Sequence, residues 1–176
     1  GKYSKAIGIR LKPYALYYLT GYPLNNWGSE TTTLKNTIPH LNLHISRLKK
    51  QKDSLFDSLQ DLLVTEFENN RGRRNPEVEA IYQEIEIKKG VTSVGYLLKK
   101  FKMGYKNMER QFARYMGVSP RLYIRYRRMH YVLSEVNQAK DKPDFMSIVV
   151  KYGFHDQSHL IREFTDLTQV SPLFFY

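Results

Sequence analysis

Cysteine is absent from the 176 residues, which removes disulfides and thiolate metal sites and makes a reducing cytoplasm the natural setting. Long apolar runs are missing as well. No stretch approaches the ~20 residues that a membrane-spanning helix needs, and no signal peptide is visible, so no membrane partner is expected. There is no glycine loop spaced to cradle phosphates, no nucleophile set beside a base and no cluster of metal ligands; an enzyme is not expected, nor is a cofactor. His155 and His159 stand four apart, a spacing that can place two ligands on one helix face. No third ligand accompanies them, and the expectation is no metal. The chain opens on Gly1 rather than Met, as expected of a piece of a longer protein.

What is present is a foldable, basic chain. With 41% apolar residues it can bury a real core, and its length allows one domain or two small ones. Charge is unevenly spread. Residues 1–87 hold 12 Lys and Arg against 10 Asp and Glu, whereas residues 88–176 hold 16 against 7. A basic half is what phosphate neutralisation requires, although charge alone fits a solvated surface equally well.

The most informative stretch is Gly153-Phe154-His155-Asp156-Gln157-Ser158-His159-Leu160-Ile161-Arg162-Glu163-Phe164, closed by Val170-Ser171-Pro172. Gly153 can take the left-handed conformation that ends a helix. Asp156 is a good N-cap, because its carboxylate accepts backbone N–H groups of a first helical turn. Leu160, Phe164 and Leu167 recur at helical spacing and face a core. Gln157, Ser158, Ile161 and Arg162 remain on the outer face near the helix start, an arrangement suited to base edges in a major groove. The pattern has a counterpart upstream: Met108-x-Arg110-x-Phe112 with Val118-Ser119-Pro120 matches Leu160-x-Arg162-x-Phe164 with Val170-Ser171-Pro172 at an offset of 52 residues. Repetition of one helix-turn-helix pattern settles the meaning of the charge in favour of nucleic acid.

On these residues the chain resembles the AraC/XylS family of bacterial transcription regulators, over roughly half its length from about Gly90 onward. The resemblance implies a mainly α fold, with tandem helix-turn-helix (homeodomain-like) motifs at about 92–118 and 145–170 joined by a long connector helix. A small helical segment with a short β-strand would precede them. Residues 1–74 would then be the remnant of an N-terminal sensor or regulatory domain plus a helical linker, and residues 75–176 the DNA-binding domain. It further implies a sequence-specific transcription regulator whose partner is double-stranded DNA, read in successive major grooves ~34 Å apart. RNA polymerase, a small-molecule effector acting through the N-terminal domain, and a second copy of the chain are further candidate partners. The runner-up reading is a helical regulatory protein that binds a partner and holds DNA only non-specifically.

Carried over by position, the base-facing residues are Tyr105, Lys106, Glu109 and Arg110 in the first motif, and Gln157, Ser158, Ile161 and Arg162 in the second. Arg110 and Arg162 suit guanine, Gln157 adenine and Ile161 a thymine methyl, while Glu109 would repel phosphate and can accept from cytosine. Lys99, Lys100, Lys102, Arg121, Lys151 and His159 are candidates for phosphate, positioning without specifying. The chain departs from the family pattern at Leu98, where a small residue is usual, at Lys102, where glycine is usual, and at Gly104, where serine is usual. The second motif is therefore the stronger base reader.

The remaining stretches are read from local pattern. Residues 6–12 alternate and predict a strand ended by Pro13, with a short helix over 14–19. Residues 25–39 read as loop and 41–50 as helix. Residues 53–68 form the clearest helix of this half, with Leu55, Phe56, Leu59, Leu62, Leu63 and Phe67 as an apolar stripe. Residues 69–75 read as an exposed basic linker. Asn75 and Pro76 then open a helix through Val78, Ile81 and Ile85. A connector helix is expected over about 120–136, with Arg121, Arg125, Arg127 and Arg128 on or beside its exposed side, followed by a polar loop over 137–144.

Overall fold

The computed structural model describes residues 8–27, 33–48, 55–138 and 143–170. Among the described residues there are α-helices and short 3-10 turns but no strand. The chain divides into two compact units, Gly1–Pro76 with Gln111–Gly117, and Glu77–Arg110 with Val118–Tyr176.

The first unit contains α1 (Ala15–Thr20), α2 (Leu34–Thr37), α3 (Pro39–Leu48) and α4 (Leu55–Asn69). Residues 8–12, where alternation predicts a strand, lack one, and residues 6 and 7 lie outside the described residues. A lone alternating segment has no ladder to join and runs irregularly into α1. The loop expected over 25–39 is partly helical: Leu24–Asn26 form a 3-10 turn and α2 follows, while residues 28–32 lie outside the described set. Burial overrides polarity here, because Ile38 joins Leu19 and Leu41 in a small core flanked by Leu11, Ile45, Leu62, Leu63 and Phe67. On α4, Leu59 is buried as its periodicity requires, but Phe56 is 67% exposed. The linker over 69–75 is also more than solvated chain. Arg73 donates through Nη1 to the carbonyls of Tyr18 and Leu19 at 3.1 and 3.0 Å, so a cation satisfies the last carbonyls of α1, where the helix dipole is negative.

Also in this unit, Tyr17 packs edge-on against Tyr115 at 4.5 Å between ring centres. Its hydroxyl accepts from Arg114 Nε and Nη2 at 2.9 and 2.5 Å. Residues 114 and 115 belong to α7 (Tyr105–Met116), a helix whose first half falls in the second unit.

The second unit takes in α5 (Pro76–Ile87) from Glu77 onward, and Pro76 sits at a helix start that needs no N–H donor there. Val78, Ile81 and Ile85 are fully buried, the spacing of one helix face. Then come α6 (Val94–Lys100), the first half of α7, α8 (Pro120–Gln138), α9 (Phe145–Lys151) and α10 (Gln157–Thr168). Met129, Val132 and Val136 of α8 enclose a core with Ile148, Val149 and Tyr152 at α9 and with Phe154, Leu160 and Phe164 around α10. Leu160 and Phe164 lose all solvent exposure, and burying each stabilises by ~1.5–3 kcal/mol before chain entropy is counted.

The turn after α5 brings backbone against backbone. Lys89 and Gly90 both take left-handed conformations, and Gly90 N–H bonds the Ile85 carbonyl at 2.9 Å. A Cβ at Gly90 would lie 2.3 Å from the backbone nitrogen of Arg128 on α8. Only glycine permits this approach. Gly90→Ala should therefore destabilise the chain by on the order of 2–5 kcal/mol, combining left-handed strain with overpacking; an unchanged urea midpoint would show that α8 does not depend on this contact.

Candidate nucleic-acid interface

Two helix pairs in the second half of the chain share dimensions. The 7-residue α6 precedes the 12-residue α7, and the 7-residue α9 precedes the 12-residue α10. The turns inside the pairs also correspond. In the first, Lys102 takes φ 49° and Met103 N–H bonds the Leu98 carbonyl; in the second, Gly153 takes φ 66° and Phe154 N–H bonds the Val149 carbonyl. Lys102 thus holds the left-handed place that glycine fills downstream, and Gly104 does not relieve it.

Capping differs between the pairs. Asp156 accepts the His159 N–H at 2.6 Å and caps α10 with its side chain. That hydrogen bond holds the Asp156 carboxyl below its ordinary range, with the positive surroundings of His155 and Arg162 adding to it. At α7, Gly104 contributes only its carbonyl, which accepts from Asn107 and Met108 at 3.1 Å. Ser93 and Asp144 cap α6 and α9 by side-chain acceptance in the usual way.

The base-facing candidates lie as follows. Tyr105, Lys106 and Arg110 are exposed on the first half of α7, with Glu109 half-buried beside them. Arg110 Nη2 donates to Asn107 Oδ1 at 2.9 Å. The Tyr105 hydroxyl is bonded to the Glu109 carboxylate, which raises the tyrosine's pKa. Gln157, Ser158 and Arg162 are exposed on α10, and Ile161 is half-buried. Arg110 and Arg162 are each the sixth residue of their helix.

Phosphate candidates fall into two groups. Lys99, Lys102 and Arg121 are exposed and form no ion pair among the described residues. The others are engaged: Lys100 Nζ meets Glu84 Oε2 at 2.5 Å, Lys151 Nζ meets Glu135 Oε2 at 2.6 Å, and His159 Nε2 lies 3.3 Å from Glu163 Oε2. His159 Nδ1 also accepts the His155 N–H at 3.2 Å, so its role in the turn is local.

The arginines of α8 require a correction. Arg121 is exposed, but Arg125, Arg127 and Arg128 are drawn inward by carboxylates. Arg127 Nη2 meets Glu86 at 2.5 Å, and Arg128 Nη2 bonds both Glu163 oxygens at 2.7 and 2.8 Å. Arg125 touches Glu163 and Asp166 at the longer distances of 3.4 and 3.7 Å. A carboxylate as buried as Glu163, at 6% exposure, needs a cation beside it. Arg121, Arg125 and Arg128 line a groove of about 710 Å³ with Ser93 and Arg162. Sequence reading passed over Ser93, Glu163 and the part Arg125 takes here; the spacing of Arg121 and Arg125, one helical turn apart, was the available signal.

Residues 97–175 match a family model described as a helix-turn-helix domain. The match supports a helix-turn-helix domain of the AraC type over this region, and with it DNA binding in transcription regulation. Neither a curated protein nor a solved structure matches the chain. No helix among the described residues is long and apolar enough to cross a membrane.

Two outcomes follow from this geometry. Lys102→Gly should raise stability by about 1 kcal/mol by removing left-handed strain; an unchanged or lower melting temperature would mean that the lysine's contacts outweigh its backbone. The Glu84 carboxyl is held below its ordinary value of 4.5, first by the Lys100 hydrogen bond and then by Tyr96. A depressed carboxyl contributes stability above its ordinary value and loses it as pH falls through the lowered one. Urea midpoints of Glu84→Gln should thus depend less on pH below 4.5 than those of the parent, and parallel acid profiles would count against the pairing.

Proposed function

We propose that residues 75–176 form a sequence-specific DNA-binding domain, with tandem helix-turn-helix motifs at about 92–118 and 145–170 that lay α7 and α10 into successive major grooves. The supporting observation is the repeated pair: equal helix lengths, equivalent left-handed turns, and an exposed arginine at the sixth position of each second helix. On this reading Arg110 and Arg162 grip guanine through bidentate hydrogen bonds, the geometry a guanidinium offers. Gln157 reads adenine, Ile161 packs on a thymine methyl, and Ser158, Tyr105 and Lys106 complete the base-facing set. Glu109, already bonded to Tyr105, is best suited to a cytosine amino group.

Lys99, Lys102 and Arg121 position the duplex through phosphates, and Lys100, Lys151 and His159 join them by loosening their carboxylate contacts. The two motifs contribute unequally: α10 begins with a side-chain cap and a free polar face, whereas α7 begins without one. Residues 1–74 act as a regulatory segment, the place for an effector or for pairing with a second copy. The chain works in the cytoplasm as a regulator rather than an enzyme, with RNA polymerase as the natural recipient of its signal.

Arg162→Ala should weaken binding to the preferred duplex by ~1–3 kcal/mol and relax selection at one base pair. Selection from random duplexes, run in parallel on parent and variant, measures both effects. Identical preference profiles, or binding by the parent that is weak and indifferent to sequence, would sink this function and leave partner binding in its place.

A further inference from the structure

The groove beside α10 presents more positive charge than base reading uses. Its walls come from the start of α6, from α8 and from α10. Arg121 also acts electrostatically on Tyr105, the first residue of α7, and Arg162 of α10 stands at the groove's other side. The groove thus runs along α10 and past the start of α8, whose Arg121 is near enough to the first residue of α7 to act on it. Four arginines line it against two carboxylates, Glu163 and Asp166.

The negative groups do little to repel an anion. Arg128 covers both oxygens of Glu163, whose side chain is 7% exposed. Asp166 is 70% exposed and lies 3.7 Å from Arg125. A charge-assisted hydrogen bond normally measures ~2.7–2.9 Å, so Arg125, at 3.4 and 3.7 Å from its two carboxylates, is loosely held. Its guanidinium keeps donors for another acceptor. Two hydroxyls join the wall. Ser93 Oγ accepts the Tyr96 N–H and still has its own proton to donate. Thr92 Oγ1 has no hydrogen-bond partner among the described residues. Arginine forks and hydroxyls around an open groove match the chemistry of a phosphodiester.

We propose that this groove is a phosphodiester site, in which Arg121 and Arg125, with the Ser93 hydroxyl, hold the DNA strand running between the segment read by α10 and the segment read by α7. The inference rests on the DNA-binding reading above and adds to it a backbone clamp between the two base contacts. Such a clamp fixes the spacing of the two segments without reading the bases that separate them. Arg128 is a positioning residue here: by neutralising Glu163 it leaves Arg125 turned toward the groove.

The test uses the full chain and the duplex that selection recovers for it. Single phosphates are replaced by neutral methylphosphonates, one position at a time, and affinity is measured across a salt series. One or two replacements in the interval between the base pairs assigned to Arg110 and Arg162 should weaken the parent roughly three- to tenfold. The same replacements should cause no further loss in Arg121→Gln or Arg125→Gln. Those variants should keep the parent's base preference while their salt slope falls by about 1. Should Arg125→Gln fail to fold by circular dichroism, Arg121→Gln carries the comparison, because Arg121 has no ion pair among the described residues. Replacements in the interval that leave the parent unaffected, or weaken parent and variants alike, overturn the clamp while selective binding stands. A parent that selects no sequence overturns the DNA-binding reading itself, and the clamp with it.

Discussion

Adjacent arginines on α8 fasten that helix in two directions. Arg127 reaches Glu86 on α5, and Arg128 reaches Glu163 on α10. Neighbouring residues on a helix point ~100° apart, so one position of the chain ties down two separate elements. Both pairs are partly buried, with arginine side chains 16–17% exposed. Removing one partner from such a pair costs more than the pair contributes, because the other charge is left without compensation. Tyr131 and Tyr123 extend the Glu86 end as further donors, at 3.2 and 3.4 Å. Orientation follows from this arrangement: α10 presents its polar face where it does because its inner face is held by Glu163 as well as by Leu160 and Phe164.

The two helix pairs show one design executed with different residues. Downstream, glycine makes the turn and aspartate caps the second helix. Upstream, lysine makes the turn in a strained conformation and glycine stands before the second helix with no side chain to offer. The upstream pair recovers stability elsewhere, through Glu84, whose carboxylate takes Lys100 and the Tyr96 hydroxyl together. Polar contacts thus tie α6 to α5 in addition to the burial of Leu97, while α9 is embedded in the apolar cluster with α8 and α10.

Much of this fold can be read from residue order alone. Capping residues, prolines and apolar spacing mark the starts of α5, α8 and α10 to within a residue or two, because those signals are local. The repeat locates Arg110 and Arg162 at equivalent exposed places for the same reason. What stayed hidden depends on distant partners. Nothing in the spacing of Arg125, Arg127 and Arg128 reveals that carboxylates 35–41 residues away draw them inward. Arg73 reads as a solvated linker residue until α1, more than 50 positions earlier, is placed beside it. The helical turn at Leu34–Thr37 escaped because its flanking Ile38 is buried by tertiary packing rather than by any local periodicity. Residues 8–12 misled in the opposite sense, since an alternating pattern signals a strand only where a neighbouring strand exists.

The division of α7 between two compact units has a practical side. Its front half carries the candidate base-reading residues, while Gln111, Arg114 and Tyr115 behind them bond or stack with Asn75 and Tyr17. An excision made at the apparent boundary near residue 76 would keep every base-reading candidate yet strip the aromatic and amide lining from the rear of the helix that bears four of them. A fragment that begins at α5 would thus present the same polar face on a helix whose far end has lost its partners on α1.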